Sequence, residues 1–178
     1  MKRAQLWVYV PLILFIALAG LLAYSLKHNT TNDRPSAQLS QPFPTFQLPA
    51  LESPDVLVDA GVLKGRVSVV NVWGAWCFNC EEEMDELHAL AQMPVTVIGI
   101  DYKDDRAQAE KFLKRFGNPY HTIIEDEAGD LGFELGVYGA PETFVVDANG
   151  IIRYHHTGAL TREVLAQDIQ PLIKALTP

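Results

Sequence analysis

Apolar positions fall into three regimes along the chain. Residues 6–26, LWVYVPLILFIALAGLLAYSL, carry no charged side chain and are almost all apolar. About 20 such residues suffice for a helix to span a bilayer. A mostly polar stretch containing a proline follows and reads as a linker. From residue 42 the apolar positions come in short blocks. PFPTFQLP (42–49) alternates apolar and other residues, with prolines that confine it to an edge strand. VSVVNVW (67–73) and VTVIGID (95–101) are largely β-branched runs of the buried-strand type. Residues 81–91 place Met84, Leu87, Leu90 and Ala91 at helical spacing, and 105–116 do the same with Ala109, Phe112, Leu113 and Phe116 before Gly117 and Asn118-Pro119 end the run. A short strand at 121–124 and a weak helix at 130–135 come next. Strands at 143–147 and 151–155 flank Ala148-Asn149-Gly150, a hairpin signal because Asn-Gly accepts positive φ. A helix over 161–176 closes the chain, capped by Thr161, with Val164, Leu165, Ile169, Leu172 and Ile173 inward and Pro171 as a kink point. After the edge strand the order is β-α-β-α-β-α-β-β-α. It predicts a three-layer α/β domain whose central mixed sheet has a parallel part and a terminal hairpin.

The chain therefore divides into an N-terminus with a transmembrane anchor (1–27), a linker (28–41) and a folded domain (42–178). Lys2 and Arg3 precede the apolar run, which keeps the N-terminus cytoplasmic and sends the rest across; Lys27 and Arg34 after it weaken the bias. Trp7, Tyr9 and Tyr24 suit the two interfaces. A cleaved signal peptide is the competing reading, since Ala17-Leu18-Ala19 has the small-x-small form of a cleavage site. The run continues to Leu26, longer than a typical signal core. Either route delivers the domain to an oxidising side of a membrane.

Composition narrows the chemistry. Of 178 residues 48% are hydrophobic and 20% charged, a globular profile. Fourteen basic against 22 acidic residues give a net charge of -8, which disfavours a nucleic-acid binder. Without residues 1–34 the balance is ten against 21, a net of -11. Two cysteines exclude a disulfide-dense scaffold and any four-Cys metal or iron–sulfur site built by this chain alone. They are Cys77 and Cys80, in WGAWCFNC, directly after a buried strand and at the start of a helix. There, unpaired backbone N–H groups and the helix dipole stabilise a thiolate at Cys77, and Cys80 lies about one turn on. Cys77 is thus the candidate nucleophile and Cys80 the resolving thiol of thiol–disulfide exchange. An inert structural disulfide is a weaker reading, because so short a loop constrains the unfolded chain little. Half a metal site would need further ligands that the sequence does not supply at tight spacing.

Trp76-Cys77-x-x-Cys80 after VVNVW resembles the thioredoxin superfamily. The run GVYGAPETF (136–144), followed by Asp147-x-Asn149-Gly150-x-Ile152-Arg153-Tyr154, is similar to its CcmG/DsbE branch, the membrane-anchored thiol:disulfide oxidoreductases of cytochrome c maturation. The similarity runs from Pro42 to the C-terminus and includes the N-terminal anchor. It implies a thioredoxin-like fold in which Pro141 takes the cis-proline position, with the Ala140–Pro141 bond cis and packed beside the disulfide. Backbone at Ala140 and Pro141 would then pair with an extended substrate chain, and Trp76 would offer an apolar platform beside Cys77. Trp73 is assigned to the core. Glu83 matches an acidic position of the family and Glu142 follows Pro141. A carboxylate near Cys77 opposes thiolate formation, and a buried carboxyl protonated near neutral pH is able to shuttle protons. Glu81 and Glu82 read as solvated acids of a first helical turn. Phe78-Asn79 departs from the many relatives that carry proline between the cysteines. His155 and His156 read as strand residues on alternating faces rather than as metal or haem contacts, and His88, two turns along the helix, is not assigned as a base.

The resemblance implies an inner-membrane, periplasm-facing reductant that uses no cofactor and no metal; the nucleotide pattern GxGxxG is absent. Its substrates would be the CxxCH cysteines of apocytochrome c or a maturation protein that handles them. Its electrons would come from a DsbD/CcdA-type transmembrane thiol reductase, and the acidic surface would help steer such partners. Two rivals stand beside it: a tethered thioredoxin serving copper-site assembly or general disulfide reduction, and a passive binding module.

Overall fold

The computed structural model describes residues 3–28, with side chains for 9–24, and residues 38–177. Most of the predicted linker, and the side chains of Lys2, Arg3, Trp7, Lys27 and Arg34, lie outside the described residues. The chain forms two units, 1–34 and 35–178. The first holds helix α1 (Arg3–His28), which includes Pro11 and exposes apolar side chains such as Leu14 and Phe15. Among the described residues no helix is long and apolar enough to cross a membrane.

The second unit is a seven-stranded sheet clothed on both faces. Its strands are β1 (Gln47–Ala50), β2 (Ser53–Asp59), β3 (Ser68–Trp73), β4 (Thr96–Tyr102), β5 (Thr122–Asp126), β6 (Glu142–Val146) and β7 (Ile152–Thr157), in spatial order β2-β1-β5-β4-β3-β6-β7. β3, β4 and β5 are parallel, whereas β6 runs antiparallel to β3 and β7 antiparallel to β6. β3 and β4 are buried along their whole lengths, which is why their sequences are continuous apolar runs rather than alternating ones. Val69 and Trp73 face a cluster with Leu87, Leu90, Phe112 and Ile169, and Val70 and Val72 face the opposite cluster with Phe43, Leu63 and Leu131. The helices between strands are α2 (Phe78–Glu82), α3 (Met84–Ala91), α4 (Arg106–Phe116) and α5 (Asp130–Glu134). This is the expected thioredoxin-like α/β fold with its central mixed sheet.

Several boundaries differ from expectation. β2 is an additional strand at the sheet edge, exposed along most of its length, so it carries no alternating apolar signal. The predicted edge strand is shorter: Pro42 makes an isolated bridge to Ile151, and regular pairing begins at Gln47. The helix expected over 81–91 begins at Phe78 and is interrupted at Glu83, whose side chain turns into the core. The C-terminal helix is divided into α6 (Arg162–Val164), a π-helical turn (Leu165–Ile169) and α7 (Gln170–Leu176). Pro171 lacks the N–H that a continuous α-ladder would require, and the wider turn comes just before it. The hairpin turn is as predicted, with Gly150 at φ +83° and the Asp147 carboxylate accepting from Asn149 and Ile151 N–H at 2.9 and 3.0 Å.

Candidate redox site

β3 aims the chain at the loop Gly74-Ala75-Trp76, and α2 begins immediately beyond it. Cys77 is the N-cap of α2, its Sγ accepting from the Cys80 N–H at 3.2 Å. The two cysteines are disulfide-bonded, with Cα atoms 5.4 Å apart, and both are buried. On reduction the same N–H is placed to stabilise a Cys77 thiolate. Trp76 is half exposed and tethered by its indole N–H, which donates to the Tyr102 carbonyl at 3.0 Å. A Cβ on Gly74 would stand 2.5 Å from that indole nitrogen, so the glycine makes room for the ring. Trp73, by contrast, is core, stacked on Tyr120 with ring centres 5.6 Å apart. Phe78, between the cysteines, is 72% exposed.

The two acids singled out in the sequence sit in different surroundings. Glu83 is fully buried: one carboxyl oxygen accepts from the Asn71 Nδ2 at 2.8 Å, the other from the Leu160 N–H at 2.7 Å. Asn71 also donates to the Thr143 hydroxyl at 3.2 Å and accepts from the Tyr120 hydroxyl at 2.7 Å. Burial pushes the Glu83 carboxyl up to about 7, against the pull of its two hydrogen bonds, with the neighbouring Glu86 adding to the rise. Burial, together with the charges of Glu83 and Asp101, raises the Tyr120 hydroxyl well above the usual range.

Glu142 begins β6 and serves the loop before it. Its Oε1 accepts from the Tyr138 and Gly139 N–H groups at 2.8 and 3.3 Å, and its Oε2 lies 2.6 Å from the His155 Nε2. His155 in turn stacks on Phe144 at 4.1 Å. The Ala140–Pro141 bond is cis, as expected. Pro141 is buried, and Ala140, partly buried, packs against the cluster that contains both cysteines. Tyr138, in the same loop, is 95% exposed. Glu81 is half-buried in the first turn of α2 and Glu82 is exposed. His88 bonds the Phe116 carbonyl and His156 the Ala159 carbonyl; burial lowers the His156 pKa. Among the described residues no group of three or more His, Cys, Asp or Glu is placed to hold a metal ion.

Asn71, Tyr120 and the Leu160 N–H were not identified from sequence. Asn71 had a visible signal, a polar residue in the middle of an otherwise apolar buried strand. The other two approach Glu83 only through the fold.

The chain matches the family model of Redoxin over residues 38–169. It is 44% identical over 177 residues to the thiol:disulfide interchange protein DsbE of Escherichia coli strain K12, covering 97% of this chain and 95% of that one. Against the protein of the same name from Pseudomonas aeruginosa it is 43% identical over 176 residues, covering 99% and 96%. Two crystal structures resemble it with a TM-score of 0.62. A protein assigned as DsbE from Chlorobium tepidum is 25% identical, with 75% of this chain and 95% of that chain covered. A DsbF homologue from Corynebacterium diphtheriae is 29% identical, with 76% and 86% covered.

Proposed function

Because the chain belongs to the Redoxin family, and within it to the DsbE thiol:disulfide interchange proteins, we propose that its exchange reaction reduces disulfides on the periplasmic side of the inner membrane during cytochrome c maturation. The observation that carries the reading is the cysteine pair itself, with Cys77 capping α2 and both cysteines in the cluster against which Ala140, next to cis Pro141, packs. In the reduced protein the Cys77 thiolate attacks one sulfur of a substrate disulfide; the other sulfur leaves as a thiolate and takes up a proton. Cys80 then attacks the Cys77 sulfur, releasing the second substrate thiol and closing Cys77–Cys80. Two electrons have passed to the substrate, and a membrane thiol reductase of the DsbD/CcdA type restores them. The backbone at Ala140 and Pro141 receives the substrate as an added strand, and Trp76 forms the platform beside it. Glu83 manages the proton. Glu142 shapes the loop that precedes Pro141.

Apocytochrome c, through its haem-attachment cysteines, or a maturation protein that handles them is the substrate in this reading. Residues 1–27 anchor the protein with its N-terminus in the cytoplasm, 28–41 form the linker and 42–178 the redox domain. Support for the anchor comes from the uncharged run over 6–26. The decisive experiment is Cys80→Ser in native membranes, which halts the reaction at the mixed disulfide. Capture of apocytochrome c or a maturation factor through Cys77 is the expected result. Capture of copper-assembly or unrelated proteins alone would overturn the assignment to cytochrome c. A Cys77→Ser strain that still assembles cytochrome c would overturn the redox role.

A further inference from the structure

Asp101, next to last in β4, is 2% exposed, and among the described residues its Oδ1 has no hydrogen-bond partner. Its register neighbours are Trp73 on β3 and Glu125 on β5. Beyond it the chain turns back at Lys103, a non-glycine residue at φ +50°. That turn brings Asp104 against the redox loop, where its Oδ2 accepts from the Ala75 N–H while its Oδ1 accepts from the Asp105 N–H at 2.7 Å. The Asp104 carboxyl raises the pKa of Asp101, as a nearby charge and as a hydrogen-bonding group, and two carboxyls are able to hydrogen-bond only if one of them keeps a proton. The segment from Tyr102 to Asp104 therefore holds the redox loop twice, at the Trp76 indole and at the Ala75 amide, with a carboxyl pair behind the second hold.

We propose that Asp101 and Asp104 share one proton, and that this proton seats the loop carrying Cys77. With the proton present, Asp101 donates to Asp104, and the Asp104 carboxylate keeps the Ala75 N–H. Loss of the proton to solvent leaves two adjacent anions, one of them fully buried. Asp104, half-buried, then turns toward water and releases Ala75. The other ionisable groups facing Asp101 do not relieve this repulsion: Asp105 and Glu125 are acidic, Tyr120 is a neutral phenol, and the Arg106 guanidinium is engaged with Glu125 and the Leu51 carbonyl. Burial and the neighbouring Asp104 hold the Asp101 carboxyl up to about 8, so the switch lies within reach of ordinary buffers. Both aspartates are positioning residues. The proposal rests on Cys77 being the attacking thiol, but not on which protein is reduced.

The test uses the full-length, detergent-solubilised protein in its disulfide form, in which neither cysteine titrates. The Ala75 amide and Trp76 indole proton shifts are followed by NMR from pH 6 to 9.5. In the wild type the two signals should move together with a midpoint near pH 8. Asp101→Asn, whose carboxamide donates permanently, should hold both flat through that range. Asp104→Asn, at a half-buried position, should displace the Ala75 signal at every pH and abolish the midpoint, and it serves as the test if Asp101→Asn does not fold. The proposal fails if the wild-type Ala75 signal is static between pH 7 and 9.5, or if Asp104→Asn leaves that signal where it was. It also fails if the step persists in Asp101→Asn or disappears only in Glu83→Gln. Failure to trap a cytochrome partner would overturn the functional reading and leave this titration untouched.

Discussion

Glu83 is a carboxyl whose neutral form the fold prefers. Its ordinary pKa of 4.5 is raised to about 7, chiefly by burial. Protonated Glu83 is therefore worth more to the folded state than the ionised form. This contribution is fully present below pH 4.5 and is lost as pH rises toward 7, by an amount on the order of 3 kcal/mol. Glu83→Gln cannot ionise. Denaturant titrations of the disulfide form should give this variant a stability that, relative to wild type, climbs between pH 4.5 and 7 and then levels off. In the reduced protein Glu83→Gln should also remove a step near pH 7 from the rate of exchange with a small disulfide. Asn71 is the second residue to test. Asn71→Leu takes one donor from the Glu83 carboxylate, which favours the neutral acid further. Carboxyl-carbon NMR should show the Glu83 midpoint moving upward, with a stability loss of about 1–3 kcal/mol.

At the scale of elements, the loop before cis Pro141 is held by strand β7. Glu142 clips the Tyr138 and Gly139 amides, and His155 on β7 holds Glu142 in place from the far side. His155→Leu should leave the carboxylate buried with only its backbone donors, at about 2–4 kcal/mol by urea denaturation. It should raise KM for a protein substrate more than for a small disulfide, because only the former needs the loop as a strand partner. Strands and helices were unequally legible in the sequence. β3 and β4 stand out because burial on both faces demands continuous β-branched runs, and the β6–β7 turn because Asn149-Gly150 admits few other structures. β2 packs only Val58 of its three apolar residues onto the core and leaves Val56 and Leu57 exposed, too little burial to betray a strand. The break at Glu83 and the π turn before Pro171 come from long-range contacts and a missing N–H, and neither alters local periodicity.

For the whole molecule, the division into residues 1–34 and 35–178 puts the proposed anchor and the cysteine pair in different units. Removing residues 1–34 should leave exchange with a small disulfide and the thermal midpoint of the redox unit unchanged while moving the protein from the membrane to the soluble fraction. Membrane flotation and a thiol-exchange assay check the two halves of that statement. The candidate site was legible where it is written in adjacent letters: Cys77 and Cys80 in one motif, Ala140, Pro141 and Glu142 in another. The environment of Glu83 was not, because Tyr120 reaches Asn71 across 49 residues and the Leu160 amide reaches Glu83 across 77. That spread makes the site hard to transplant. Grafting the cysteine motif with its strand and helix onto another scaffold carries the thiols but leaves behind the phenol of Tyr120 and the amide of Leu160. On the proposed role of Glu83, a borrowed motif would inherit the reaction without its pH setting, and divergence at position 120, or a shift of the backbone at 160, would offer a lineage a way to retune the cysteines without touching them.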